Sequence, residues 1–196
     1  MYLILDTETT ALFNKSLSPD DPSQARICQI ACLLLDKDFK ERAKFYSLIK
    51  STGWTISPGA QAANGLTVEE CNNYGINIQQ ALNIFSGLVD CSDYIIGHNI
   101  DFDMQMITNE LSLLGMPAFG YVLPRLCTMK EMTNICKLPG KYGKFKWPKL
   151  TEAYMHCFGE SFKGAHDSLA DVKACGEILK WMIDNKHIIL TQPSVV

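Results

Sequence analysis

RICQIACLLLD, residues 26–36, decides the fold. Gln29 is the one polar residue between Arg26 and Asp36, and the run shows no alternation of apolar and polar side chains. Near-continuous apolar runs of this length are expected of a central strand covered on both faces. Upstream, YLILD (2–6) reads as a short buried strand ending at an aspartate, and a polar loop rich in Ser, Pro and Asp (14–24) joins the two. Downstream, KDFK is a turn, and ERAKFYSLIK (41–50) returns as a third strand, which makes a meander.

Beyond residue 75 the pattern changes period. INIQQALNIFSGLVD (76–90) spaces Ile78, Ala81, Leu82, Phe85 and Leu88 at helical intervals. DYIIGHN (93–99) is a short strand of the kind that parallel pairing buries, and DMQMITNELSLLG (103–115) is a helix with a glycine stop. YVLPRLCTM (121–129) is a weaker strand, demoted by Pro124 to an edge or to a short C-terminal piece, and helices follow around 150–158 and 168–184. Strands in a meander, then strands alternating with helices, predict an α/β fold. Its mixed sheet, antiparallel first and parallel afterwards, is flanked by helices. With no repeat, low-complexity linker or composition break, one domain over residues 1–196 is expected.

Bulk properties narrow the function classes. A chain of 196 residues, 47% hydrophobic and 20% charged, has an ordinary globular composition. No apolar run approaches the roughly 20 residues of a membrane span. MYLILDTE has no basic segment before its acids, so a secretory signal is not expected and a cytoplasmic, intracellular location is. The eight cysteines contain no CxxC pair and are read as reduced, mostly buried small hydrophobes. A net charge of −3 argues against coating nucleic acid by bulk attraction. KLPGKYGKFKWPKL (137–150), however, holds five lysines and no acid, interleaved with Tyr142, Phe145 and Trp147. Without those lysines the net charge falls from −3 to −8, so a local anion-facing patch is expected there.

Acids recur at element boundaries. Asp6 and Glu8 close the first strand, and residues i and i+2 of a strand share a face. Asp103 follows the fourth strand, and Asp171 lies on the last helix, five residues after His166. Within GAHDSLADVKACGEILKWM (164–182), His166 and Asp167 either cap the helix start or face something beyond it. Four converging carboxylates would repel one another unless cations neutralised them, and oxygen-only ligation suits Mg²⁺ or Mn²⁺ rather than zinc. A D-x-E pair arises by chance in roughly half of shuffled chains of this composition, so placement carries the weight and not the pair itself.

LILDTETT (3–10), GHNIDFD (97–103) and HDSLADV (166–172) together resemble the three motifs of the DEDDh exonucleases. That RNase H-like family includes the proofreading subunits of bacterial replicative polymerases. The resemblance implies an RNase H-like fold and one exonuclease domain. It implies Asp6, Glu8, Asp103 and Asp171 as ligands of two Mg²⁺ or Mn²⁺ ions, with Asp6 bridging both, and His166 as general base. The ligand is taken as Asp103, directly after Phe102, and Asp101 as a solvated or capping acid. Asp167 is read as a neighbour of the site or exposed, and His156 and His187 as surface residues.

Further roles follow from the same likeness. The backbone at Thr9 and Thr10 would meet the terminal 3′-hydroxyl, and Leu12 or Phe13 would wedge against the last base. Ala11 stands where the family often has glycine, which alters the loop that follows. His98 and Asn99 occupy common family positions and order their loop. Lys146, Trp147 and Lys149 are the first choices for contact with the strand. The implied activity is 3′→5′ removal of nucleoside 5′-monophosphates from DNA. RNA trimming is the alternative, and a non-catalytic module binding polymerase or nucleic acid is the rival from another class. The implied partners are a nucleic acid 3′ end and a polymerase in trans. Neither GxxxxGK[ST] nor GxGxxG occurs, which disfavours a nucleotide switch or a dehydrogenase.

Overall fold

The computed structural model describes residues 1–117 and 123–190. Its sheet has five strands: β1 (Tyr2–Thr9), β2 (Ile27–Leu35), β3 (Glu41–Leu48), β4 (Tyr94–Gly97) and β5 (Arg125–Cys127). Their order is β3-β2-β1-β4-β5. The meander β1-β2-β3 is antiparallel, and β4 and β5 add in parallel, as the sequence predicts. All nine residues of β2 are buried, the both-face burial that its unbroken apolar run requires.

Seven α-helices accompany the sheet among the described residues: α1 (Pro58–Asn64), α2 (Val68–Tyr74), α3 (Ile78–Asp90), α4 (Ile100–Leu113), α5 (Thr128–Cys136), α6 (Leu150–Phe158) and α7 (Ser168–Asp184). Alternation along the central strands splits the core in two. Leu3, Leu5, Ile30 and Cys32 pack with Leu82 and Phe85 of α3 and Ile107 of α4. Ile4, Ala31 and Leu33 pack on the opposite face with Val172, Cys175 and Ile178 of α7. The eight cysteines are free, five of them buried. No helix among the described residues is long and apolar enough to cross a membrane.

The structure corrects one boundary and fills in two segments. Residues 51–75 hold α1 and α2, which core periodicity could not reveal because α1 buries no residue and α2 buries only Cys71. α4 starts at Ile100, three residues earlier than expected, because Asn99 at φ 82° turns the chain straight from β4 into a helix. The weak strand over 121–129 is the short C-terminal piece that Pro124 allows, Arg125–Cys127 at the sheet edge, and α5 takes over at Thr128; residues 121–122 lie outside the described residues. Pro124 flanks this strand, and its carbonyl accepts from the Ile95 N–H.

One close approach governs how α4 meets the sheet. A Cβ on Gly97 would lie 2.9 Å from the Leu5 carbonyl oxygen and 2.9 Å from Cδ1 of Ile100. Only glycine therefore allows β4 to hand over to α4 this tightly against β1.

Candidate active site

The alternation that divides the core also aims the acids. Thr7 follows Leu3 and Leu5 toward α4, while Asp6 and Glu8 share the register of Ile4, whose face α7 covers. Beyond Glu8 the β1–β2 register shifts, Thr9 pairing with Ile27. The backbone groups near this irregularity find other partners. Thr10 exchanges bonds with Arg26, its N–H reaching the Arg26 carbonyl and its hydroxyl accepting the Arg26 N–H, both at 2.9 Å. The Ile27 N–H donates to Glu110 Oε1 at 2.9 Å. Glu110, on α4, also takes Arg26 Nε at 3.0 Å and Nη2 at 2.6 Å. This buried clamp ties the end of β1–β2 to the helix that carries Asp103.

Asp103 is buried, and its Oδ1 accepts from both the Thr7 N–H at 2.9 Å and the Thr7 hydroxyl at 2.8 Å. Asp171 is buried on the first turn of α7. Its Oδ2 accepts the backbone N–H of His166 at 3.1 Å. His166 itself is exposed, at φ 71°, in the loop that enters α7. Donor atoms of Glu8, His166 and Asp171 all lie within 4.8 Å of one another. Of the pair His166 and Asp167, the cap is Asp167, whose carboxylate accepts the N–H groups of Leu169 and Ala170. His166 contributes only its backbone there, and its imidazole is left to the site.

Gln29, the polar exception in the β2 run, anchors this entrance. Its Oε1 accepts the Ser168 N–H at 2.9 Å, and its Nε2 donates to the Tyr46 hydroxyl at 3.0 Å, which donates in turn to Asp167.

The electrostatics are those of crowded acids. Burial, then the charges of Asp103, Asp171 and Glu8, push Asp6 well above the usual carboxylate range. Burial lifts Glu8 to about 7, partly opposed by a hydrogen bond from Asn64. It lifts Asp103 to about 7 against the two bonds from Thr7, and Asp171 to about 6 against the His166 N–H. Oδ2 of Asp6 and Oδ1 of Asp171 are buried with no hydrogen-bond partner among the described residues. Orphaned carboxylate oxygens among like charges fit a divalent cation: hard oxygen donors, excess negative charge, and lone pairs that nothing else satisfies.

A cavity of about 620 Å³ opens beside Glu8, walled by β1, by α1 through Ala60 and Asn64, and by Phe102. Leu12, 84% exposed, stands on its rim, whereas Phe13 packs against the core. Thr9 and Thr10 are buried, and the Thr9 hydroxyl donates to the Ala11 carbonyl at 2.8 Å, so both side chains are engaged within the protein. His98 is likewise engaged. Its Nε2 donates to the Pro148 carbonyl and its Nδ1 meets the Thr128 hydroxyl, both at 2.9 Å, and burial lowers its pKa. Asn99 is the exposed residue before α4. Asp101 is solvated and paired with Lys130 rather than capping. Lys146 pairs with Glu152, Trp147 is exposed, and Lys149 precedes α6 with its N–H on Glu152. Thr7, Glu110, Gln29 and the α1 wall escaped the sequence reading. Each acts through a partner distant in the chain, and only Thr7, set between Asp6 and Glu8, was marked by its position.

Comparison with known proteins bears on the family and the fold. The model of the RNase_T exonuclease family matches residues 3–179. The uncharacterized exonuclease CP81 of Escherichia phage 186 is 29% identical over 176 residues, covering 87% of this chain and 82% of the relative. E. coli exonuclease I in complex with a dT13 oligonucleotide superposes with a TM-score of 0.75 at 20% identity, over 92% of this chain and 40% of that one. A zinc-bound complex of E. coli exonuclease I with single-stranded DNA gives 0.75 at 20%, over 94% and 41%. The chain thus spans about two fifths of the length of these structural neighbours, and shares with them the RNase H-like fold.

Proposed function

This chain belongs to the RNase_T exonuclease family, and from that premise we propose that it is a 3′→5′ exonuclease, one domain over residues 1–196, releasing nucleoside 5′-monophosphates from DNA. The observation that carries the reading is the set of buried, partnerless carboxylate oxygens of Asp6 and Asp171 beside Glu8 and Asp103, at the edge of a nucleotide-sized cavity. Asp6, Glu8, Asp103 and Asp171 would hold two cations, Mg²⁺ or Mn²⁺. Bound there, these would stabilise the charge that builds on attacking and leaving oxygens during phosphoryl displacement.

The chain's own groups supply the rest. Thr7 fixes the Asp103 carboxylate, and Asp171 grips the His166 backbone, with the imidazole beside Glu8. An imidazole exchanges protons near neutrality, so His166 accepts the proton of the attacking water. Leu12 and Phe102 offer apolar surface to the terminal base, and the polypeptide at Thr9 faces its sugar. RNA trimming rests on the same residues, and the contacts of the 2′-hydroxyl decide between the two substrates. Nucleic acid is the proposed partner; among the described residues no surface singles out a polymerase.

The test incubates 5′-labelled DNA and RNA strands of one sequence with Mg²⁺, with EDTA, and with His166→Ala protein. A ladder receding from the 3′ end, abolished by EDTA and slowed about 10²–10⁴-fold in the variant, is expected. Strands left intact in both Mg²⁺ and Mn²⁺ would overturn the catalytic reading and favour a binding module.

A further inference from the structure

The lysine-rich stretch before α6 folds into a small hairpin. Gly140 N–H donates to the Lys144 carbonyl at 2.9 Å, Lys146 N–H to Leu138 at 3.0 Å, and Pro139 bridges to Phe145. A Cβ on Gly140 would meet the Lys144 oxygen at 2.6 Å, so the two arms approach as closely as glycine permits. This defined turn presents Tyr142, 97% exposed, and Trp147, 63% exposed. Lys141 and Lys144 flank Tyr142, and among the described residues neither has a salt-bridge partner, whereas Lys146 is held by Glu152. The hairpin is not remote from the site. His98 grips the carbonyl of Pro148 at its foot, and the next residue, Asn99, is the N-cap of α4, the helix of Asp103.

We infer that this hairpin is a docking platform for single-stranded nucleic acid, seating the strand upstream of the 3′ end. The inference rests on the exonuclease reading of the neighbouring carboxylates. Phosphates are the chemistry that matches Lys141 and Lys144 on a body that is otherwise acidic. Aromatic faces in solvent match unpaired bases, because every base offers a π-face once it is out of a duplex. A double strand keeps its bases stacked and would use only the lysines.

Fluorescence anisotropy of a 5′-labelled dT12 strand with the full chain in EDTA tests this apart from hydrolysis. Lys141→Glu/Lys144→Glu is expected to weaken binding at least about tenfold. It should also flatten the dependence of log Kd on log salt by about 1.4, the single-strand value for two lost phosphate contacts. Tyr142→Ala is expected to weaken binding about tenfold with the salt slope unchanged. Melting curves matching the parent exclude misfolding in these exposed positions. Wild-type affinity in both variants would overturn the platform, as would equal losses on a duplex of the same sequence or tight binding of a polyglutamate chain. A parent protein that binds dT12 but never shortens it in Mg²⁺ or Mn²⁺ would sink the exonuclease reading and leave the platform standing.

Discussion

Asp103 and Asp171 approach the same cluster from opposite faces of the sheet, and they are held very differently. Asp103 takes two hydrogen bonds on one oxygen from Thr7, and two turns along α4 the Glu110–Arg26 clamp pins its helix to the strand ends. Asp171 takes one backbone N–H, from a loop residue in a left-handed conformation, and its other oxygen has no partner. The α4 half of the site is built by the fold alone. The α7 half leaves a buried carboxylate oxygen for a cation to satisfy under the proposed function, and it carries the proposed base, His166. Rigidity sits with the α4 carboxylate and adjustability with the α7 side.

Substitutions can break this asymmetry. The largest effect is expected from Glu110→Ala, which leaves a half-buried guanidinium without its carboxylate and strands the buried Ile27 N–H; chemical denaturation should show a loss of about 3–5 kcal/mol. Thr7→Val keeps the backbone donor to Asp103 but deletes the hydroxyl, and calorimetric titration should show cation affinity reduced about 10–100-fold, the usual effect of an outer partner. On the α7 side, Gln29→Leu leaves the Ser168 N–H buried and unpaired. A stability loss of about 1–3 kcal/mol is expected, with kcat falling more than KM rises because the His166 loop loosens. Equal kcat losses for conservative changes on the two sides would refute the division.

A pH dependence tests the same cluster without substitution. Burial raises Glu8 and Asp103 to about 7 and Asp171 to about 6, so the folded state keeps protons that the unfolded chain gives up near pH 4. Their contribution is complete below about pH 4 and is lost as pH rises through 6 to 7. In EDTA the melting midpoint should therefore fall by several degrees between pH 5 and pH 8. Adding Mg²⁺ should restore it at pH 8 and do little at pH 5.

What the sequence made legible follows from where the signal resides. β2 could be read because burial on both faces removes alternation from nine consecutive residues. The four acids and His166 stand out in the sequence because they sit in recurring motifs, and the structure brings donor atoms of Glu8, His166 and Asp171 within 4.8 Å of one another. α1 and α2 could not, because seven-residue helices that bury almost nothing announce themselves only at their ends, through Ser57 and Pro58 or the Thr67–Glu70 box. The start of α4 was misplaced because nothing local forces Asn99 to φ 82°; the tight handover at Gly97 does. Gln29 looked like a flaw in an apolar strand because its partner, Ser168, lies 139 residues away.

Gly97 sets a gauge. The missing methyl group lets α4 settle against β1, and so fixes how far the Asp103 carboxylate stands from Asp6 on the neighbouring strand. Magnesium demands a compact octahedron with oxygens at about 2.0–2.1 Å, whereas larger divalent ions tolerate longer and looser shells. If these carboxylates hold the ions as proposed, ion choice would be written not in them but in a residue that touches no ion. Gly97→Ala, pushing α4 outward by a few tenths of an ångström, should increase the rise in melting midpoint given by Ca²⁺ relative to that given by Mg²⁺, measured against the parent.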